Sequence, residues 1–314
     1  MKVGGQFQRM GESPASRVTK SLVPQFRMLT VGGFTWPQGP PKIPLLLRRG
    51  DWFATPPAPP DWLVEPVFVH PNKILFAGES GALKSWVLAD LALHVAAGKS
   101  WLGFTVPRAR RIVFINEDMS QDDLQARFYQ LSQGHGINPR GLPLWITNNE
   151  QIRVGLSPSG QPLSTLALLK QLKDAGCDPD VVMFETLLRV SSGLSNSNDD
   201  MANFYNALKP ITDDPAHART VIVSHHLTKF AGEPDNPIPL DKRILGAGYI
   251  KGGADAVFAI ELDSKLDRRA TISFHKMRRG PIHRPFRVQL ECAGVDQPAQ
   301  LVRVQGQTQP SRAP

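Results

Sequence analysis

The sequence predicts an α/β fold with a mainly parallel central sheet, helices on both faces, and antiparallel strands late in the chain. Three observations carry this expectation. A buried strand at Lys73–Ala77 runs through a Gly-containing loop directly into an apolar helix, Trp86 to Ala97, that stops near Gly98. Short apolar strands then alternate with helical stretches between residues 66 and 262, the pattern of βαβ units. Two later runs, Thr271–Phe274 and Phe286–Leu290, read as antiparallel strands.

Composition bounds the rest. The 314 residues are 41% hydrophobic and 20% charged, enough for a packed core and against wholesale disorder. No stretch approaches the roughly 18 uninterrupted apolar residues of a membrane span. Two cysteines, Cys177 and Cys292, exclude a disulfide framework and a cysteine-built zinc site. They fit a reducing cytosol, so a cytoplasmic location and no membrane partner are expected. The formal charge of +8 points toward a polyanionic partner, most often nucleic acid. That charge is uneven: Met1–Gly50 holds eight Lys or Arg against one acid, Glu12, and eleven of the 28 prolines precede Val67. Proline at this density removes backbone donors and restricts preceding residues. Residues 1–60 are therefore expected to form a basic, proline-rich, partly disordered arm.

The loop after the first strand is Gly78-Glu79-Ser80-Gly81-Ala82-Leu83-Lys84-Ser85. Strand, Gly-containing loop, Lys-Ser and helix form the P-loop context, in which loop amides and a helix N-terminus bind phosphates. In that context Lys84 bridges the β- and γ-phosphates of ATP and the Ser85 hydroxyl ligates Mg²⁺. Leu83 departs from the pattern, which has Gly before the lysine. Its side chain either points away from the nucleotide, at a cost if the backbone requires positive φ, or weakens nucleotide binding.

Three further strands end in polar residues. Arg110–Ile115 leads to Asn116-Glu117-Asp118, and Ser120 with Asp123 offers a capping-box variant for a helix over Gln121–Ser132. Carboxylates at the carboxyl end of a parallel strand sit where ligands bind, so Glu117 is a candidate to activate the attacking water. The alternative is that Glu117 and Asp118 only enrich the next helix's N-terminus in acid. Val181–Phe184 ends at Glu185-Thr186, the Walker B layout with Glu in place of the usual Asp; Glu185 is the candidate Mg²⁺ contact. Thr220–Val223 runs into Ser224-His225-His226, where His225 or His226 could sense the γ-phosphate. No cysteine or further histidine stands at metal-ligand spacing from that pair.

The order of these pieces resembles the RecA-like P-loop ATPases, closest to the plasmid RepA and DnaB-like hexameric helicases of the AAA-family RecA-fold group. The resemblance rests on Gly78–Ser85, Ile115–Asp118, Val181–Thr186 and Ser224–Lys229. Leu245–Tyr249 with Ala254–Val257, and His275–Pro281, add to it. It implies a RecA-like ATPase domain over residues 61–292 and a polar C-terminal tail over 293–314. In the Lys-x-Arg-x-Gly-Pro run it implies that Arg278 is an arginine finger reaching a neighbour's γ-phosphate, with Lys276 its companion. It also implies that loops between His226 and Ala254, with Lys229, Lys242, Arg243 and Lys251, grip single-stranded DNA. The expected protein is an ATP- and Mg²⁺-dependent motor assembled as a homo-oligomer, a hexameric ring. It would act as a replicative-type helicase on single-stranded DNA, beside replication partners such as a primase or initiator. The alternatives are a recombination, repair or loader ATPase of the same fold without unwinding activity, or a weakly catalytic nucleotide-binding regulatory module.

Overall fold

A computed structural model describes residues 27–31, 34–38, 50–157, 159–191, 198–227, 232–233, 236–238, 242–244, 249–292, 294 and 297–304. The chain divides into two compact units, residues 1–58 and 59–314. In the first, β1 (Arg27–Val31) and β2 (Phe34–Gln38) pair as an antiparallel hairpin. Most of the expected arm lies outside the described residues.

The second unit opens on an antiparallel pair, β3 (Asp61–Val64) and β4 (Phe68–His70). Then come β5 (Lys73–Gly78), α1 (Lys84–Ala97), β6 (Ile112–Asn116), α2 (Gln121–Gly134), β7 (Leu144–Asn148), α3 (Leu163–Asp174) and β8 (Val181–Glu185). The chain continues through α4 (Leu187–Val190), α5 (Asn198–Ala207), α6 (Lys209–Thr212), β9 (Thr220–His226), the two-residue strands β10 (Gly232–Glu233) and β11 (Asn236–Pro237), and α7 (Tyr249–Gly253). It closes with β12 (Ala256–Ser264), β13 (Arg269–Met277), β14 (Phe286–Cys292) and β15 (Ala299–Val304). Nine strands form one sheet in the order β15-β14-β13-β12-β5-β9-β8-β6-β7. The six from β12 to β7 run parallel; β13 and β14 extend the sheet antiparallel, as expected, and β15 adds a further antiparallel strand.

Strand alternation divides the core into two layers. Ile74, Phe76, Ile112, Phe114, Val181, Met183 and Ile222 face one way, packing with α1 and α2. Leu75, Val113, Val182, Phe184, Val221 and Val223 face the other, packing with α3, α5 and α6. The parity of each strand therefore decides which layer its last residue joins.

Local signals act where expected. Ser120 caps α2 by accepting from the Asp123 amide at 3.1 Å, and Gly98 ends α1 in the left-handed conformation at φ 64°. Two elements differ from the sequence reading. Residues 299–304, expected within a polar tail, form the edge strand β15, because Ala299 and Leu301 alternate inward onto α2 and the first core layer. The edge strand β7 also joins the sheet, although its residues are only half-buried and its pattern is weak.

Candidate nucleotide site

All phosphate-loop candidates gather at the carboxyl edge of the parallel strands. β5 ends at Gly78, where an added Cβ would meet the Ile260 carbonyl at 2.8 Å, so the close approach of β12 requires glycine there. Gly81 adopts φ 83° and Leu83 φ 62°, ψ 9°, both left-handed. For leucine this conformation costs roughly 1–2 kcal/mol. Its burial in the first core layer, with Ala82, compensates: the side chain of Leu83 is anchored where Gly would have none.

Lys84 folds back over the loop. Its Nζ donates to the carbonyls of Gly78 at 2.9 Å and Glu79 at 2.7 Å. Burial pushes its pKa down to about 8, against the opposing pull of Glu185, Asp118 and Glu79. The adjacent Ser85 hydroxyl hydrogen-bonds Glu185, whose carboxylate is 1% exposed at the end of β8. Burial raises the Glu185 pKa, with Ser85, Arg127 and Lys84 opposing, and its Oε2 has no hydrogen-bond partner among the described residues. An orphaned, desolvated carboxylate oxygen beside a hydroxyl is a donor set that a hard divalent cation satisfies. Ser85 and Glu185 thus fit the Mg²⁺ that P-loop chemistry implies.

These residues line a cavity of about 410 Å³ together with Asp118, His226, Arg127, Lys265 and Arg268. Three of these cations escaped the sequence reading. Arg127 projects from α2 and stacks its guanidinium 4.6 Å from the Trp86 ring centroid; Arg268, from the β12–β13 turn, lies 5.3 Å from the same ring. Burial lowers the Arg127 pKa, and its Nε has no hydrogen-bond partner among the described residues. Such a group is stabilised by an anion. The signal for Arg127 is present in the sequence: it lies seven residues past the Ser120 cap, two helical turns along the face that meets Trp86.

Strand parity separates neighbouring candidates. On β9, His226 faces the cavity, paired in register with Gly78, and burial followed by the nearby Lys84 charge lowers its pKa. His225 turns into the opposite layer, fully buried. On β6, Asn116 faces α1, so Glu117 is directed away from the cavity. Its carboxylate accepts from the amides of Gln151 and Ile152, each at 3.1 Å, with Arg153 at 3.8 Å. The expected position of Glu117 above the phosphates is therefore not the one it occupies; Asp118 lines the cavity instead.

The remaining candidates lie elsewhere. Lys276 and Arg278 sit at the amino edge, where Met277 pairs with Ala256, the first residue of β12. Lys276 Nζ donates to the carbonyls of Lys251 at 2.7 Å and Gly252 at 3.0 Å. Arg278 donates to Asp255 at 3.2 Å while its side chain remains 57% exposed. The length of β5, six residues or about 20 Å, separates them from their own chain's phosphate loop. Of the DNA-contact candidates, Lys242 is exposed and Lys251 half-buried. Arg243 is buried and ion-paired with Glu79 of the phosphate loop, 3.8 Å from Glu261, so it faces the loop rather than an open channel surface. Lys229 lies outside the described residues.

Comparison with known proteins bears on the family and the fold. The AAA domain family matches residues 40–232, more than half of the chain. No curated protein matches the chain. Among solved structures, a DnaB-like replicative helicase, described with its interactions with primase, superposes with TM-score 0.50 at 12% identity. That match covers 74% of this chain and 59% of the helicase, so the chain spans less than two thirds of that protein. The ATPase domain of G40P gives TM-score 0.49 at 12% identity, covering 74% of this chain and 85% of that one. The flagellar accessory protein FlaH of Methanocaldococcus jannaschii gives 0.46 at 12% identity, covering 75% and 90%. At this identity the likeness establishes a shared fold, the RecA-like ATPase fold.

Proposed function

Because the chain belongs to the AAA-domain family and carries the RecA-like P-loop ATPase fold, we propose that it is an ATP-hydrolysing motor that assembles into a ring and translocates on single-stranded DNA, as a replicative-type helicase does. The observation that carries the ATPase part is the buried Glu185 carboxylate paired with the half-buried Ser85 beside Lys84, inside a cavity walled by Arg127, Lys265 and Arg268.

The phosphate loop binds the triphosphate through its amides, and Lys84 exchanges its two carbonyl partners for phosphate oxygens. Ser85 and Glu185 would hold Mg²⁺, which when bound supplies Lewis-acid stabilisation of charge on the phosphate oxygens. Arg127 and Arg268 place positive charge along the cavity wall, where a preorganised guanidinium stabilises charge that grows during transfer. Orientation of the attacking water falls to the carboxylate pair Glu117 and Asp118. Glu117 does so if nucleotide binding draws it from the 151–152 amides, and Asp118 otherwise. His226 lies against both Gly78 and the segment leading to the 227–253 loops, a route for passing phosphate state onward. Since Arg278 lies at the far edge of its own chain, its finger role requires a neighbouring subunit, which makes hydrolysis depend on assembly.

One observation favours a second reading. Glu117 is tied to two amides and a guanidinium, as expected of a nucleotide-binding module with weak turnover. ATP turnover with and without single-stranded DNA, measured on wild type and Lys84→Ala, separates the two. The motor reading requires DNA-stimulated turnover that Lys84→Ala abolishes; equal turnover in both proteins, or none in either, overturns it. A strand-displacement assay then distinguishes a helicase from a loader or recombinase.

A further inference from the structure

Helix α1 is apolar along most of its length, and Asp90 stands inside it with 0% exposure. A carboxylate so completely desolvated needs a counter-charge or a coordinating cation. Two imidazoles meet it. His94, one turn further along α1, has Nδ1 2.8 Å from the Asp90 carbonyl and 3.6 Å from Oδ2. A carbonyl only accepts, so this Nδ1 carries the proton and Nε2 keeps the lone pair. His135, which caps the C-terminus of α2, brings Nε2 to 2.6 Å from Asp90 Oδ1. The two rings meet edge to face with centroids 4.4 Å apart. Among the described residues neither Asp90 oxygen has a hydrogen-bond partner, and His135 Nε2 has none either; the approach of this pair lacks hydrogen-bond alignment. One donor atom from each of the three residues lies within 4.8 Å of the other two.

We propose that Asp90, His94 and His135 form a transition-metal site, with Zn²⁺ its first occupant, clipping α1 to α2. Two imidazoles and one carboxylate are the donor set that zinc takes, with a water completing four-coordination. Magnesium prefers oxygen ligands, so the site is chemically distinct from Ser85 and Glu185. In a tetrahedral site with bonds of about 2.0–2.1 Å, neighbouring donors stand about 3.3 Å apart. The Asp90–His135 contact therefore opens by less than about 1 Å on coordination, within the reach of side-chain rotation. The dication takes one of the orphaned carboxylate oxygens as a ligand, and its water is a donor for the other. Its place gives it a consequence: α1 begins at Lys84, and α2 carries Arg127 into the phosphate cavity. The clip holds these two nucleotide-facing side chains in register from behind, as a structural site rather than a participant in transfer.

The test is metal uptake by the full chain after chelation and desalting, with ZnCl₂ and CoCl₂ as probes. Wild type should take up one metal per chain, show the intense visible absorption of tetrahedral cobalt, and unfold at a higher temperature with zinc. His94→Gln and His135→Gln, which keep a polar group in the cluster, should each weaken uptake by about 10-fold or more and abolish the zinc-dependent rise. Asp90→Asn is the less informative variant, since it can fail to fold. Uptake in the histidine variants equal to wild type, or no uptake and no thermal response in wild type, overturns the proposal.

Discussion

The two edges of the parallel sheet handle charge in opposite ways. At the amino edge, Asp180 accepts from the Arg111 side chain at 2.9 Å and from its amide, with His217 at 3.1 Å. Asp178 bonds Arg219 at 2.8 Å, and Asp255 takes Arg278 and the Lys73 amide. These charges are partnered and partly solvated. At the carboxyl edge, among the described residues, Glu185 keeps a buried oxygen without a partner, Arg127 a buried Nε without one, and Lys84 is desolvated against carbonyls. A fold gains nothing from leaving such groups imperfectly satisfied. Their concentration around one cavity is the ground for placing the proposed nucleotide site at this edge, while the other edge presents Arg278 outward.

Substitutions sharpen this contrast, beginning with the largest effect. Lys84→Ala should remove ATP turnover with little change in stability, since the side chain is a burden to the free protein. Arg127→Ala should lower kcat/KM by about 10- to 1,000-fold, the scale for one preorganised charge at a transferring phosphoryl group. Steady-state kinetics measures it, and unchanged kcat/KM would place Arg127 in Trp86 packing only.

The Lys84 pKa of about 8 gives a pH prediction. A lysine whose folded pKa lies below its ordinary 10.5 destabilises the fold while protonated, and this cost fades as pH rises through 8. Bound phosphate restores the charge. Above pH 8, ATP binding should therefore take up protons and weaken with rising pH, measurable by titration calorimetry in buffers of different ionisation enthalpy. Lys84→Ala should lose the uptake.

The smallest effect belongs to the amino edge. Although burial opposes it, bonding to Arg111 and His217 holds the Asp180 carboxyl well below its ordinary 3.8. That stabilisation is present above about pH 4 and is lost as pH falls through the folded value. Asp180→Asn should cost about 1 kcal/mol at neutral pH, reduced by partial exposure of Arg111, and read by denaturant unfolding. ATP turnover should be unaffected.

Much of this was legible in the sequence because it is local. The phosphate loop, the Ser120 cap and the apolar parallel strands each carry their signal within a few residues. Legibility failed where two distant segments must meet. Arg127 and Arg268 converge on Trp86 from a helix and a turn far apart in the chain, and no periodicity relates them. Glu117 shows a subtler limit: the strand end was readable, but its face depended on the parity of β6, since one residue decides which layer a side chain enters. Arg243 appeared as one cation among several in a loop, whereas Glu79 draws it under the phosphate loop. β15 was hidden by a polar composition that its two inward residues overrule.

Under the proposed function, the carboxyl edge of one subunit is completed by the amino edge of another. Mixing Lys84→Ala with Arg278→Ala subunits tests it most directly. Each variant should be inactive by itself, and the mixture should recover partial ATP turnover from interfaces that pair an intact Lys84 with an intact Arg278. No recovery at any mixing ratio, with both variants still assembling with wild-type subunits, would contradict it.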